Sequence, residues 1–345
     1  LLDAMHYRLT LLRASAGYGK STALTTMAEK KDAPSVIWYQ LNEDDNNPSI
    51  FLLYLLHATK STFPDLDLPI EILQSWDSTQ GSLPTKDIIH QYLNILAEKK
   101  RPILLILDDV HLVLDTSEIA LMLDFLVGLA PSNLHIVLSS RQPVKLPNLY
   151  RWRSRGEILT IDQDMLAFSA EEVSKLYTEQ YQYELTPQEI DAIVDVTEGW
   201  AVALQAIWQS LRTKAVSSIE DALAYQDSTM ENLFSILIHE VLEQQPEDIQ
   251  QFLQASATLR IMTAKACDAV RKSNNSATLL TYLQRQDLFV VDLGDGALRY
   301  QHIFHHSLQQ QVPEKQSQQW HMRASEYYAK RSEERRVGKE CVSEC

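Results

Sequence analysis

Cysteine and glycine are scarce in this sequence, and basic charge is in deficit. Three cysteines in 345 residues, Cys267, Cys341 and Cys345, cannot build a disulfide framework, and none stands in a CxxC pair that would hold zinc. Nine glycines exclude a collagen-like chain. Lys and Arg number 31 against 46 Asp and Glu, a formal charge of −15, which argues against a nucleic-acid or polyanion-binding surface. No run approaches the roughly 18 consecutive apolar residues of a membrane-spanning helix. The opening LLDAMHYRLT has neither an initiator Met nor a signal-peptide pattern. These absences point to a cytoplasmic chain with no membrane partner and, since Leu1 leads straight into a strand-like segment, to a piece of a longer reading frame. What is present is 45% hydrophobic and 22% charged residues, the make-up of a folded protein of two or three domains.

Five short apolar runs read as strands, at 9–12, 36–39, 103–107, 135–139 and 158–161. The first, third and fourth lack polar alternation, the mark of strands buried on both faces of a parallel sheet. Segments long enough for crossover helices separate them, so residues 1–163 read as a doubly wound α/β domain. Asn47-Pro48 caps and opens one helix, and residues 82–85 start another that ends before Pro102. After the fifth strand helices dominate. Ser169 to Glu172 and Thr186 to Glu189 both fit the capping box, and the second of these helices ends at Gly199. The polar stretch 213–229 reads as a linker. Four further helix patterns begin near Glu231, Pro246, Thr263 and Ser276, followed by two strands about Gly294-Asp295-Gly296, as in the wing of a winged helix. A last helix covers 319–329. The segment 332–345 breaks that helix's periodicity and resembles a translated sequencing adapter, so it is set apart from the fold.

The strongest signal follows the first strand: Ala14-Ser15-Ala16-Gly17-Tyr18-Gly19-Lys20-Ser21-Thr22. It fits the phosphate-loop pattern GxxxxGK[ST], with Ala14 in place of the first glycine. Backbone N–H groups from Ala16 to Ser21, aided by the following helix dipole, would cradle a β-phosphate. Lys20 would bridge the β- and γ-phosphates, the Ser21 hydroxyl would ligate Mg²⁺, and Thr22 would approach the α-phosphate. The third strand ends in Asp108-Asp109 at the same sheet edge. Asp108 is the candidate Mg²⁺ ligand, and Asp109 is placed to orient or deprotonate an attacking water. The fourth strand ends at Arg141, within reach of a γ-phosphate if that strand inserts between the third and the first. A surface arginine at a strand end is the plainer alternative. His302, His305 and His306 lack a carboxylate or cysteine at useful spacing and do not read as a zinc site.

The motifs ASAGYGKST, ILLILDDVH, LSSRQPVKLPNLYRWRSRGEILTI, AFSAEEV, TEGWAVALQA and RYQHIFHHSLQQQ occur in that order and spacing. Together they resemble the ATPase portion of the MalT-like large LuxR-type transcription regulators, of the STAND class of signalling ATPases, over nearly all of residues 1–331. The resemblance implies a P-loop nucleotide-binding domain (1–163), a helical lid and linker (164–227), a winged-helix domain (228–312) and the start of a helical-repeat region (313–331). It also implies ATP and ADP as ligands and closure on ADP at rest. Inducer and DNA would be bound by domains absent from this stretch. It gives Lys20, Ser21, Thr22, Asp108, Asp109 and Arg141 the roles above. Gly199 falls at the glycine of a GxP motif lining the adenine pocket, although Ala201 stands where proline is usual. His302 falls where such winged helices offer a histidine to the ADP β-phosphate; a merely packed histidine is the alternative.

The function expected is therefore an ATP/ADP-binding regulatory switch with slow hydrolysis and self-association on activation. Residues 228–312 carry six Lys and Arg against nine Asp and Glu, 6 − 9 = −3, so that winged helix suits nucleotide or protein better than a phosphate backbone. The rival from another class is an AAA+-type mechanical or DNA-processing ATPase, with Arg151, Arg153 or Arg155 as an arginine finger supplied to a neighbouring subunit.

Overall fold

The computed structural model describes residues 2–29, 34–74, 83–214, 216–223, 242, 245–286 and 288–343. The chain divides into two units, Leu1–Leu166 and Ala167–Cys345.

All five expected strands form: β1 (Leu9–Arg13), β2 (Ser35–Gln40), β3 (Ile103–Asp108), β4 (Leu134–Ser140) and β5 (Ile158–Ile161). They make one parallel sheet in the order β2-β3-β4-β1-β5. β3 is buried at every position, which is why its sequence shows no alternation. Helices cover both faces. α1 (Lys20–Ala28) buries Leu24 and Met27 on one face against Leu12, Leu104, Ile106 and Val137. On the other face, α2 (Pro48–Thr62), α4 (Thr85–Ala97) and α5 (Ser117–Leu129) pack around Ile37, Leu105 and Ile136. The short α3 (Ile70–Gln74) extends this layer. Asn47 caps α2 by accepting from the Ser49 and Ile50 N–H groups, with Pro48 at the first helical position. Insertion of β4 between β3 and β1 is the expected order, and it brings Arg141 to the edge that carries Asp108 and Lys20. Two short helices, α6 (Leu149–Ser154) and α7 (Gln163–Leu166), flank β5.

In the second unit, α8 (Ala170–Lys175) and α9 (Pro187–Thr197) both begin with full capping boxes, from Ser169 with Glu172 and Thr186 with Glu189. With α10 (Ala201–Arg212) they enclose Val173, Tyr177, Ile193, Leu204 and Ile207. The expected linker at 213–229 is corrected in part, because 219–223 form a helix, α11 (Ile219–Leu223). Ile219 and Ala222 are buried in that same cluster, and the Ser218 hydroxyl accepts from the Asp221 N–H; two apolar residues were too few to stand out from a polar stretch. The helix pattern expected from Glu231 lies outside the described residues.

The three following patterns form α12 (Glu247–Ser256), α13 (Ala264–Arg271) and α14 (Ser276–Gln286). β6 (Val290–Asp292) and β7 (Leu298–Tyr300) pair antiparallel about the glycine turn, and Met262 bridges to Leu298 as the start of a third strand. α15 (His302–Gln311) and α16 (Glu314–Ser343) complete the unit. α16 runs into the segment set apart at 332, as far as Ser343, consistent with residues such as Glu, Arg and Lys that favour helix.

Candidate nucleotide site

The loop from Ala14 to Gly19 joins the tip of β1 to α1. Gly17 (φ 78) and Gly19 (φ 76) both adopt the left-handed conformation, which is why glycine stands at each. Ala14 is fully buried without a positive φ, so the missing first glycine costs the loop nothing. Lys20 is nearly buried, and its Nζ donates to the carbonyls of Ala14 (2.7 Å) and Ser15 (3.1 Å), folding the loop around its own amine. Tyr18 is buried, whereas Ser21 and Thr22 are exposed on the first turn of α1. The Ser15 N–H donates to Oε1 of Gln163 at 3.1 Å, a tie from beyond β5 that sequence reasoning missed.

Lys20, Ser21, Asp108, Asp109 and Arg141 gather at one edge. The Ser21 hydroxyl donates to Oδ2 of Asp108 at 2.8 Å. Asp108 is fully buried, and its Oδ1 accepts from the Asp109 N–H at 3.1 Å. A hydroxyl and a carboxylate at this distance are hard oxygen donors, the set that suits Mg²⁺. Among the described residues no group of three or more His, Cys, Asp or Glu is placed to hold a metal, so a cation there would need phosphate and water oxygens as well.

Asp109 sits in left-handed backbone (φ 60) at the turn out of β3. Gln40 Nε2 donates to its Oδ2 at 2.8 Å, a contact prepared by the register that sets Gln40 beside Asp108. Burial, reinforced by the Asp108 charge, pushes the Asp109 carboxyl above the usual carboxylate range, against the pull of Arg141, Lys20 and the Gln40 hydrogen bond. His111 follows on a 3-10 turn, Val110–Leu112, with Nδ1 3.8 Å from Asp109 Oδ1. Its burial, and then the charges of Arg141 and Lys20, lower its pKa to about 4, so the ring is neutral near pH 7. Arg141 thus acts electrostatically on both groups, as a residue facing the site does. Sequence reasoning singled out neither Gln40 nor His111.

Gly199 and His302 lie in the second unit. Gly199 (φ 71) follows α9, and its carbonyl accepts from the Phe168 N–H at 2.9 Å. His302 opens α15; Nδ1 lies 2.9 Å from the Asp195 carbonyl and 4.0 Å from Glu198 Oε1, and the side chain is 55% exposed. Glu198 Oε1 also pairs with Arg299 Nη2 at 2.5 Å. His305 Nε2 lies 2.7 Å from the Ala257 carbonyl, and His306 Nε2 contacts Gln310.

Residues 238–320 match the family described as the MalT winged helix domain. The HTH-type transcriptional regulator MalT of Yersinia enterocolitica is 29% identical over 311 residues, and that of Cronobacter sakazakii 30% identical over 296; each alignment covers 86% of this chain. Over most of its length this chain is similar to MalT. The chain spans about a third (32%) of the length of these relatives. Its fold is also similar to that of a solved structure. The Walker-type ATPase PABY2304 of Pyrococcus abyssi superposes with a TM-score of 0.62 at 15% identity, covering 89% of this chain and 93% of its own. Among the described residues no helix is long and apolar enough to cross a membrane.

Proposed function

We propose that this chain is the ATP/ADP-binding switch module of a LuxR-type transcriptional activator, in which slow ATP hydrolysis controls inducer-dependent self-association. The observation that carries the reading is the convergence of Lys20, Ser21, Asp108 and Asp109 at the carboxyl edge of one parallel sheet, the edge at which such sheets bind ligands. In this reading the backbone N–H groups of the loop from Ala16 to Ser21 grip the β-phosphate, with Gly17, Tyr18 and Gly19 shaping the cradle. Lys20 exchanges its loop carbonyls for β- and γ-phosphate oxygens. Thr22 contacts the α-phosphate. Ser21 and Asp108 hold Mg²⁺, which when bound neutralises phosphate charge. Asp109 orients or deprotonates the attacking water, and Arg141 meets the γ-phosphate.

Gly199 and His302 belong to this proposal through the family resemblance, as further ADP contacts. The second unit would serve as lid and winged helix, and its acidic balance supports packing on protein or nucleotide over DNA. Inducer and DNA are assigned to segments outside these 345 residues.

The test is nucleotide binding and turnover. Lys20→Ala should abolish binding of a fluorescent ADP analogue; unchanged binding discards the site. Wild-type steady-state hydrolysis should fall well below about 1 per second, the low end of ordinary enzymes. A rate at or above that selects a mechanical ATPase instead. Asp109→Asn should remove most of the hydrolysis while leaving binding in place.

A further inference from the structure

The base of the phosphate loop is held from both strands that flank β1. On one side the Ala14 N–H donates to the Ser140 carbonyl at the tip of β4, at 3.3 Å. On the other side β5 pairs with β1 as far as Ile161, opposite Leu12. Just beyond that last pair Gln163, half-buried on α7, reaches across with its side chain, and its Oε1 accepts from the Ser15 N–H at 3.1 Å. Because a backbone N–H can only donate, the oxygen of the Gln163 amide is the atom that faces it. Ser15 is 3% exposed, so a donor there without an acceptor would be costly. The neighbouring tie, Arg13 to Asp162 at 3.2 Å, joins two side chains more than a third exposed and is worth little in water. Gln163 is therefore the stronger hold on this side of the loop.

The carbonyls of the same two loop residues, Ala14 and Ser15, accept from Lys20 Nζ at 2.7 and 3.1 Å. When Lys20 exchanges those carbonyls for phosphate oxygens, the loop gives up two internal hydrogen bonds just as its N–H groups must stay aimed at the β-phosphate. The Gln163 bond lies outside that exchange and persists through it. We propose that Gln163 is a positioning residue for the phosphate loop: its Oε1 holds the Ser15 N–H, so that the cradle keeps its shape when Lys20 turns to the β-phosphate. Gln163 acts through the loop and not on the nucleotide. The proposal rests on the reading that Lys20 and this loop bind phosphate.

The experiment uses the full chain with Gln163→Met, Gln163→Glu and Lys20→Ala. Methionine has a similar reach but only a weak acceptor, whereas glutamate keeps oxygen acceptors at the same reach. Gln163→Met should weaken ADP, measured by displacement of a fluorescent ADP analogue, about three- to tenfold, the scale of one hydrogen bond. Most of that change should appear in the dissociation rate. AMP, which has no β-phosphate for the loop to grip, should bind wild type and Gln163→Met equally. Without nucleotide, the Ser15 amide proton resonance should move upfield in Gln163→Met and stay near its wild-type position in Gln163→Glu. Wild-type ADP affinity in Gln163→Met beside lost binding in Lys20→Ala overturns the proposal alone. Equal weakening of ADP and AMP, or a Ser15 amide that does not respond to Gln163→Met, also overturns it. Unchanged ADP binding by Lys20→Ala sinks the phosphate-loop reading and this role with it.

Discussion

Replacing Gly199 with alanine should destabilise the second unit far more than the same change at any other glycine of that unit. Gly199 has φ +71, and a Cβ built there would lie 2.5 Å from the Phe168 carbonyl oxygen and 2.6 Å from the Phe168 nitrogen. Both are backbone atoms, and that nitrogen donates to the Gly199 carbonyl, so neither can swing aside as a side chain does. The left-handed conformation alone costs alanine roughly 1–2 kcal/mol. Forcing apart two packed segments adds about 1–3 kcal/mol. The expected sum is about 2–5 kcal/mol, enough to unfold a marginal unit. Gly296 is the control: it has φ +72, but a Cβ there meets nothing within 4 Å, so Gly296→Ala should lose only about 1–2 kcal/mol. Because the chain has two units, a single melting curve is a poor readout. Segment-resolved hydrogen exchange of α9 and α10 gives the local opening free energy directly. Equal losses in the two variants would refute the reasoning. Packing alone demands glycine at 199, so weaker ADP binding by this variant would not by itself be evidence for contact with adenine.

Two other predictions concern charge. Arg299→Ala leaves the Glu198 carboxylate, only 18% exposed and with a buried unpartnered Oε2, without its cation; the second unit should lose about 1–3 kcal/mol, much of it recovered in Glu198→Gln/Arg299→Ala. Recovery is read from a double-mutant cycle in urea, and simple additivity of the two changes counts against the pairing. His111 is neutral when folded, with a pKa lowered to about 4 from the ordinary 6.5, so its contribution to stability is complete above about pH 6.5 and is lost as pH falls through 4. That gap corresponds to at most about 3 kcal/mol for a group so largely buried. Asp109, whose pKa is raised, acts the opposite way, its contribution present at low pH and lost on rising through the raised value. Comparing wild type with His111→Asn between pH 7.5 and pH 4.5 isolates the histidine; parallel curves would exclude it.

The main candidate residues were legible because of where parallel strands end. In a βαβ sheet every strand delivers its carboxyl tip to the same edge, so Lys20 after β1, Asp108 and Asp109 at β3 and Arg141 after β4 gather there once the strands are recognised. Nothing about side-chain contact is needed for that inference. The partners of those residues are a different matter. Gln40 reaches Asp109 because β2 pairs with β3 in one register, and a slip of one residue would turn it to the opposite face. Gln163 meets the loop from beyond β5, 148 positions away in sequence. His111 was visible as the last letter of ILLILDDVH, but its burial and unpaired nitrogen come from a 3-10 turn that composition does not announce. α11 was hidden for a related reason, its two buried residues being too few to make a period. The strand-end rule therefore recovers the groups proposed here to meet phosphate and metal, which project from strand tips. The groups beside Asp109, Gln40 and His111, are set by register and turn geometry, and the pH dependence of stability with and without His111 is where the histidine's contribution is measured.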